Sequence, residues 1–369
     1  VSTHPLPPIP FFDGHNDTAQ RLREYIPPDS SADAHAPIDF LAHNSTGHLD
    51  LPRARLGHLQ GGIFALFAPS PSSPSDLTHT PSGYHVRMAR PLLPTHAAAA
   101  IRRQLSGLQS LIARASGQLR LCTTVPQLQQ SFASDTFAIL LHMEGADALT
   151  PDAPPHTGPD SALTLEQLYT QGLRSLGIVW SRPNAYGHGV PFAYPQSPDI
   201  GPGLTDAGKA LVRNCNRLGV LIDCAHLNER GFLDVAAISH APLVVSHACA
   251  HSITPSARNL SSRQLDAIRD TDGLVGVNLA VHDVRPDGDR NPDTPLTLVA
   301  DQFARLVDHL GEDRVALGSD FDGATIPNAI GDASGLQRLA AALHARGFNH
   351  ATLRKLARDN WLRVLGLTL

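Results

Sequence analysis

Histidines and carboxylates stand at the carboxyl ends of several short apolar runs in this chain, in a pattern that suits a metal centre. The first run is followed by Asp13-Gly14-His15-Asn16-Asp17. His15 and Asp17 are two residues apart, so in an extended strand they point the same way. A neutral imidazole converging with a carboxylate makes half of a zinc site, although the same five residues also suit a turn. Another run ends in His142-Met143-Glu144-Gly145, where a carboxylate just beyond an apolar stretch needs a partner if it is buried. Asp223-Cys224-Ala225-His226 and Ser246-His247 close two further runs, and 21 residues separate the two histidines, about one strand–helix unit. The last run ends in Gly318-Ser319-Asp320-Phe321-Asp322-Gly323.

Collected on one rim, His15, His226 and His247 with Asp17, Glu144 and Asp320 are six groups that need cations to hold them together. The ligand types suit zinc best, with manganese or iron as alternatives. Lysines bear on how two ions would be bridged. The chain has only Lys209 and Lys355, both within helical patterns, so a carboxylated lysine at a strand end is excluded and Glu144 is the natural bridge. There is no HExxH, no GxSxG and no cysteine placed as an obvious nucleophile, which leaves a metal-activated water. Most of the 20 histidines play no part in this: His35, His43, His48, His58, His79 and His96 lie in polar or proline-rich stretches.

Positioning these groups takes a scaffold with many strand ends. Apolar runs at Pro8 to Phe12, Gly62 to Phe67, Phe137 to Leu141, Ser175 to Trp180, Gly219 to Asp223, Pro242 to Ser246, Gly273 to Asn278 and Arg314 to Gly318 read as strands. Helical periodicity fills Ala97 to Ala115, Leu163 to Gly172, Asp206 to Leu218, Ser261 to Asp270, Leu296 to Leu310, Gly335 to Arg346 and Thr352 to Leu365. Eight strands with intervening helices predict an α/β fold, a (β/α)8 TIM-type barrel, with the site at the carboxyl ends of the strands. The last strand then lies beside the first, which puts Asp320 next to His15 and Asp17. No GxGxxG or Walker motif follows a strand. Residues 1–369 read as a single domain, with loop excursions near 69–83 and 150–161.

A net charge of −5 and a pI near 6.5 give no attraction for nucleic acid or an anionic membrane. No apolar run approaches the roughly 20 residues of a membrane-spanning helix. Cys122, Cys215, Cys224 and Cys249 form no regular framework, so a reduced, cytoplasmic setting is expected. A removed signal peptide is the alternative, since the chain lacks an initiator Met. Assembly into a homo-oligomer is left open.

The ordered set Asp13-Gly14-His15-Asn16-Asp17, Glu144-Gly145, His226, Ser246-His247, Arg258-Asn259 and Asp320-Phe321-Asp322-Gly323 resembles the membrane dipeptidase (renal dipeptidase) family, whose fold is a metallo-dependent hydrolase barrel. The resemblance runs from the first strand to the last. It implies a zinc-dependent dipeptidase in which His15 and Asp17 bind one zinc ion, His226 and His247 the second, and Glu144 bridges both. Asp320 would be the general acid/base, and Arg258 would pair with the terminal carboxylate of a dipeptide through its planar fork. Animal members carry a lipid anchor, and Gly366-Leu367-Thr368-Leu369 lacks the apolar tail of an anchor signal.

Two departures concern the substrate. The family's dipeptidases usually carry a histidine after the fourth strand, where this chain has Trp180, and the animal enzymes run Asn-Phe-Tyr where it reads Asn278-Leu279-Ala280. Without that histidine, Arg182 or Asn184 would be expected to help stabilise the oxyanion, with Trp180 and Asn184 facing the substrate. Alternatives are a related amidohydrolase acting on N-acyl amino acids or cyclic amides, and a non-catalytic metal-binding relative.

Overall fold

The computed structural model describes residues 7–22, 37–70, 76–150 and 161–369. Eight strands carry the architecture: β1 (Phe11–Asn16), β2 (Leu59–Phe67), β3 (Phe137–Glu144), β4 (Leu173–Gly177), β5 (Leu221–Asp223), β6 (Val244–Ala248), β7 (Leu274–Val277) and β8 (Val315–Leu317). Each pairs in parallel with the next in chain order. The sheet is nearly closed. Asp17 N donates to Phe321 O at 2.8 Å and Asp320 N donates to His15 O at 3.0 Å, joining the ends of β1 and β8. The short strand Leu119–Leu121 adds to β3 outside this circuit. The expected barrel is therefore present, with helices such as Asp206–Leu218 and Leu296–Leu310 matching their predicted bounds.

The differences lie at strand ends, and they matter for the site. β1 and β3 run further than their apolar residues suggest, to Asn16 and Glu144, and both are buried along their whole length. Polar residues continue β1 because they are paired. Ser319 N donates to Asp13 Oδ1 at 2.7 Å, and Asn16 Nδ2 donates to Ile63 O at 3.2 Å. β4, expected to reach Trp180, stops at Gly177. Ile178 O is taken by Asn184 Nδ2 at 2.8 Å and by Ala146 N at 3.1 Å, which draws the backbone into a loop.

The reading of 69–83 as a plain loop needs correction; residues 71–75 lie outside the described residues. Leu77–Thr80 and Gly83–Val86 form an antiparallel hairpin, and the latter also pairs with Ala193–Tyr194. That last partner is over a hundred residues away, so local pattern could not reveal it. Residues 151–160 of the second excursion lie outside the described residues. Four short helices, Leu51–Leu56, Val125–Ala133, Glu229–Ile238 and Val281–Val284, also escaped the periodicity reading.

Apolar side chains pack in two sets. One spans the chain from Ile9 to Ala357, and the other gathers Phe12, Ile63, Leu140, Leu221, Val244 and Leu274 with the closing helix Asn360–Gly366. Trp361 of that helix is fully buried, and its indole N–H donates to Leu317 O at 2.8 Å. A Cβ on Gly14 would lie 2.0 Å from the Trp361 ring, so β1 approaches the indole through a glycine. Trp361→Ala is expected to lower the unfolding free energy by about 3–5 kcal/mol, the range for truncating a buried aromatic. Urea denaturation reads this directly, and a loss under about 1 kcal/mol would show that the closing helix lies outside the cooperative core.

Candidate metal centre

Each of the six groups sits at the carboxyl end of a barrel strand. His15 and His247 lie within β1 and β6, Glu144 ends β3, and Asp17, His226 and Asp320 follow β1, β5 and β8. His226 and Asp320 adopt φ of +66° and +58°, a left-handed backbone that residues with side chains seldom take. Such turns are held by their surroundings and tend to occur at functional sites.

Glu144 is the hub. Its Oε1 lies 3.7 Å from His15 Nε2, 3.0 Å from His226 Nε2 and 3.7 Å from His247 Nε2. On one side, His15 Nε2 is 3.7 Å from Asp17 Oδ2; on the other, the Nε2 atoms of His226 and His247 are 3.2 Å apart. Two ligand atoms on one ion with bonds of about 2.0–2.2 Å are spaced by about this much. Potential ligand atoms of His15, Asp17 and Asp320, and of His15, Glu144 and His247, also lie within 4.8 Å of one another.

Whether these residues fit cations is answered by their other atoms. His15 Nε2 is buried with no hydrogen-bond partner among the described residues, although it faces three carboxylates. The far nitrogens of the other two rings are held from behind: His226 Nδ1 by Ser181 Oγ at 2.7 Å, and His247 Nδ1 by Ser246 Oγ at 2.8 Å. Ser246 in turn donates to Asp223 Oδ2 at 2.5 Å. Outer partners of this kind orient metal-ligating imidazoles. The donor set therefore fits divalent cations.

Electrostatics point the same way. Burial alone would depress His15, but Glu144, Asp17 and Asp320 outweigh it and lift the imidazole to about 10. Burial, with Asp17 and Asp320 behind it, pushes Glu144 up to about 8 against the pull of His15. Asp320 rises to about 7 through burial and the charge of Asp17. His226 and His247 are driven well below their usual value by burial, with Arg258 and His15 adding to it. Carboxyls pushed up around a raised His15 mark a deficit of positive charge that cations would supply, and the two imidazoles pushed down are neutral, the form that ligates a metal.

These groups open into a cleft of about 510 Å³, whose wall includes Trp180, Phe192, Arg258, Asn278, His282 and Arg290. Arg258 is buried rather than a solvated surface residue, and its Nη2 donates to His247 O at 3.3 Å. Trp180 packs between Phe67 and Phe192, with ring centroids 5.1 and 5.6 Å away, and its ring centroid lies 5.9 Å from that of His226.

Asn184 and Arg182 are not brought to this cleft, which corrects the expectation for both. The Asn184 carboxamide is spent on its own loop, donating to Ile178 O and accepting from Tyr186 N at 2.8 Å and Gly187 N at 3.2 Å. Arg182 is fully buried, donating to Asp147 Oδ1 at 2.9 Å, Ser70 Oγ at 2.7 Å and Ala68 O at 2.8 Å. The sequence reading missed His142, whose Nε2 lies 3.6 Å from Asp223 Oδ2 and whose ring meets His15 edge-on at 5.5 Å. Its position two residues before Glu144 on a strand was the available signal. Asn278, noted in the sequence only for its place in the Asn-Leu-Ala run, donates to Asp320 Oδ2 at 3.3 Å, and His282 left no comparable local trace.

Residues 6–368 match the family model described as membrane dipeptidase, peptidase family M19. The chain is 43% identical over 263 residues to an uncharacterized protein in the pqqA 5′ region of Klebsiella pneumoniae, covering 71% of this chain and 94% of that protein. It is 27% identical over 363 residues to dipeptidase verJ of Clonostachys rogersoniana, covering 98% of this chain and 84% of that one. A crystal structure of a metallo peptidase from Rhodobacter sphaeroides, liganded with a phosphinate mimic of the dipeptide L-Ala-D-Ala, matches at 40% identity and a TM-score of 0.88. That match covers 98% of this chain and 100% of the other.

Two outcomes follow from the geometry. His15 and Glu144, raised to about 10 and about 8, share a proton pool at pH 7 that a cation must displace. Zinc affinity should therefore rise from pH 6 to pH 8 with net proton release, read by calorimetry in buffers of different ionisation enthalpy; pH-independent binding would contradict this. Asp223→Asn, which removes an acceptor behind Ser246 and His247, should weaken zinc binding by about 10–100-fold in a chelator-competition titration.

Proposed function

The chain belongs to the membrane dipeptidase family, and on that premise we propose that it cleaves dipeptides with two zinc ions and a bridging water. It is a metal-dependent peptide-bond hydrolase. His15 and Asp17 would hold one ion and His226 and His247 the other, with Glu144 placed to serve both. The observation that carries this is the placement of Glu144 Oε1 within 3.0–3.7 Å of all three imidazole Nε2 atoms. When bound, a pair of divalent ions lowers the pKa of a shared water towards about 7 and polarises the scissile carbonyl.

The chain's own residues do the rest. Asp320 accepts the attacking water's proton and returns it to the leaving nitrogen, its carboxylate oriented by the Asn278 amide. Arg258 offers a buried guanidinium to the substrate's terminal carboxylate, which restricts cleavage to short substrates. Trp180, fixed between Phe67 and Phe192, shapes the cleft beside His226. The relative that binds a phosphinate mimic of L-Ala-D-Ala supports dipeptides as the substrate class.

A second reading keeps the same centre but takes N-acyl amino acids or cyclic amides. Trp180, standing where the family's dipeptidases carry a histidine, favours it, as do the spent side chains of Arg182 and Asn184. Asp320 on the cleft wall opposes a purely structural metal site. The chain acts as one barrel domain, and its four buried, unpaired cysteines support a reducing, cytoplasmic location. No helix among the described residues is long and apolar enough to cross a membrane.

Zinc-loaded protein should hydrolyse a panel of L-L or L-D dipeptides, and chelator stripping should abolish this. Asp320→Asn should cut kcat by about 10²–10⁴-fold, as expected for loss of a general acid/base. Turnover of N-acyl amino acids alone would transfer the proposal to the second reading. Undiminished turnover by Asp320→Asn would remove Asp320 from its role.

A further inference from the structure

Two side-chain nitrogens of residues that line the cleft lack partners. Arg258 Nε and His282 Nε2 are both buried and unbonded among the described residues, and both residues line the same cleft. A buried donor left unpaired is costly. Two of them on one wall point to a ligand that satisfies both.

The two donors are also held together by backbone. Arg258 follows β6, and His282 lies in the short helix Val281–Val284 after β7. Ser256 Oγ donates to Asp283 Oδ1 at 3.0 Å, Asn259 Nδ2 donates to Asp283 O at 2.9 Å, and Thr254 Oγ1 donates to Val284 O at 3.0 Å. These bonds flank Arg258 on one side and adjoin His282 on the other. The helix is anchored again by Val281 N, which donates to Thr325 O at 3.0 Å, and by Ala280 N, which donates to Asn278 Oδ1 at 2.7 Å. The separation of the donors is therefore set by interlocked loops.

The imidazole suits a neutral donor's task. Its ring meets Phe192 edge-on at 6.2 Å, and the nearest carboxylate oxygen, Asp283 Oδ2, is 3.9 Å from Nε2, too far for a hydrogen bond. Burial depresses its pKa, with the charges of Arg290 and Arg258 adding to this against Asp283. A neutral imidazole brings an N–H without a further charge beside the metal centre.

We propose that His282 is a substrate-binding residue, its ring N–H pairing with one oxygen of the terminal carboxylate whose other oxygen Arg258 grips. The inference rests on the reading of Arg258 given above. Arg258 already spends Nη2 on His247 O, so part of its fork is unavailable and a second residue completes the clamp.

The test uses zinc-loaded protein and two probes, the phosphinate mimic of L-Ala-D-Ala and its carboxyl-terminal amide, with dissociation constants measured by calorimetry. Wild type should bind the acid more tightly than the amide. His282→Ala should shrink that preference by about tenfold or more, the effect of losing a hydrogen bond to a charged group, while moving the amide's constant by less than about threefold. His282→Gln, which keeps an N–H, should retain most of the preference, and melting curves check that both variants fold. An unchanged preference in His282→Ala, or equal weakening of both probes, would overturn the clamp. If wild type shows no preference for the acid, the reading of Arg258 fails and the clamp fails with it. A preference kept in His282→Ala but lost in Arg258→Ala overturns the clamp alone.

Discussion

Buried charge of one sign, gathered at the mouth of a low-dielectric barrel, is the constraint on which the rest of this structure depends. Asp17, Glu144 and Asp320 converge with His15 at its centre, and Asp13 and Asp223 lie just beneath. Water cannot screen groups this deep, so each carboxylate raises its neighbours' affinity for protons. Divalent cations would relieve the repulsion, and Glu144 Oε1 stands 3.0–3.7 Å from three imidazole nitrogens that could ligate them. A centre of this kind contributes to function and works against stability until its ions arrive.

Much of the barrel's polar interior serves to hold that arrangement. Asp13 accepts from Ser319 N and Oγ at 2.7 and 2.8 Å, tying β1 to the end of β8 where the sheet closes. Asp223 accepts from Ser246 and Ala225 and so aligns the imidazole of His247. Asp322 accepts from Thr18 Oγ1 at 2.7 Å, His48 N at 2.7 Å and Arg21 Nη1 at 3.2 Å, which fixes the left-handed turn carrying Asp320. Satisfied networks of this sort rigidify a core, whereas a partly satisfied one would not. Among the buried atoms without a partner are His15 Nε2 at the centre and Arg258 Nε and His282 Nε2 of the cleft wall.

The cleft wall separates chemistry from choice of substrate. The candidate ligands lie on β1, β3 and β6 or within three residues of the ends of β1, β5 and β8, close to the sheet. Trp180, Phe192, Arg258 and His282 come from loops, whose residues can change without disturbing the sheet. Trp180 illustrates this: it lies three residues beyond β4, in a loop pinned by Asn184 and by the buried ion pair of Arg182 with Asp147. Those two polar side chains support the loop from behind, and the aromatic ring they position meets the cleft.

The sequence by itself determined the ligand types, their order along the chain and the alternation that demands a parallel barrel. His15 and Asp17 at a two-residue spacing, Glu144 after an apolar strand and the absence of any strand-end lysine are local facts, and strand geometry is local too. Only the tertiary structure decided how polar side chains divide their hydrogen bonds. Nothing in the segment around residue 182 shows that Arg182 and Asn184 are committed to backbone and to Asp147, because those acceptors come from distant segments or from a turn not yet formed. The hairpin at 77–86 needed Ala193–Tyr194, and His282 needed the loop around Arg258, before either could be recognised. Hydrogen-bond allocation depends on which groups meet in space, and these partners meet only in the folded barrel.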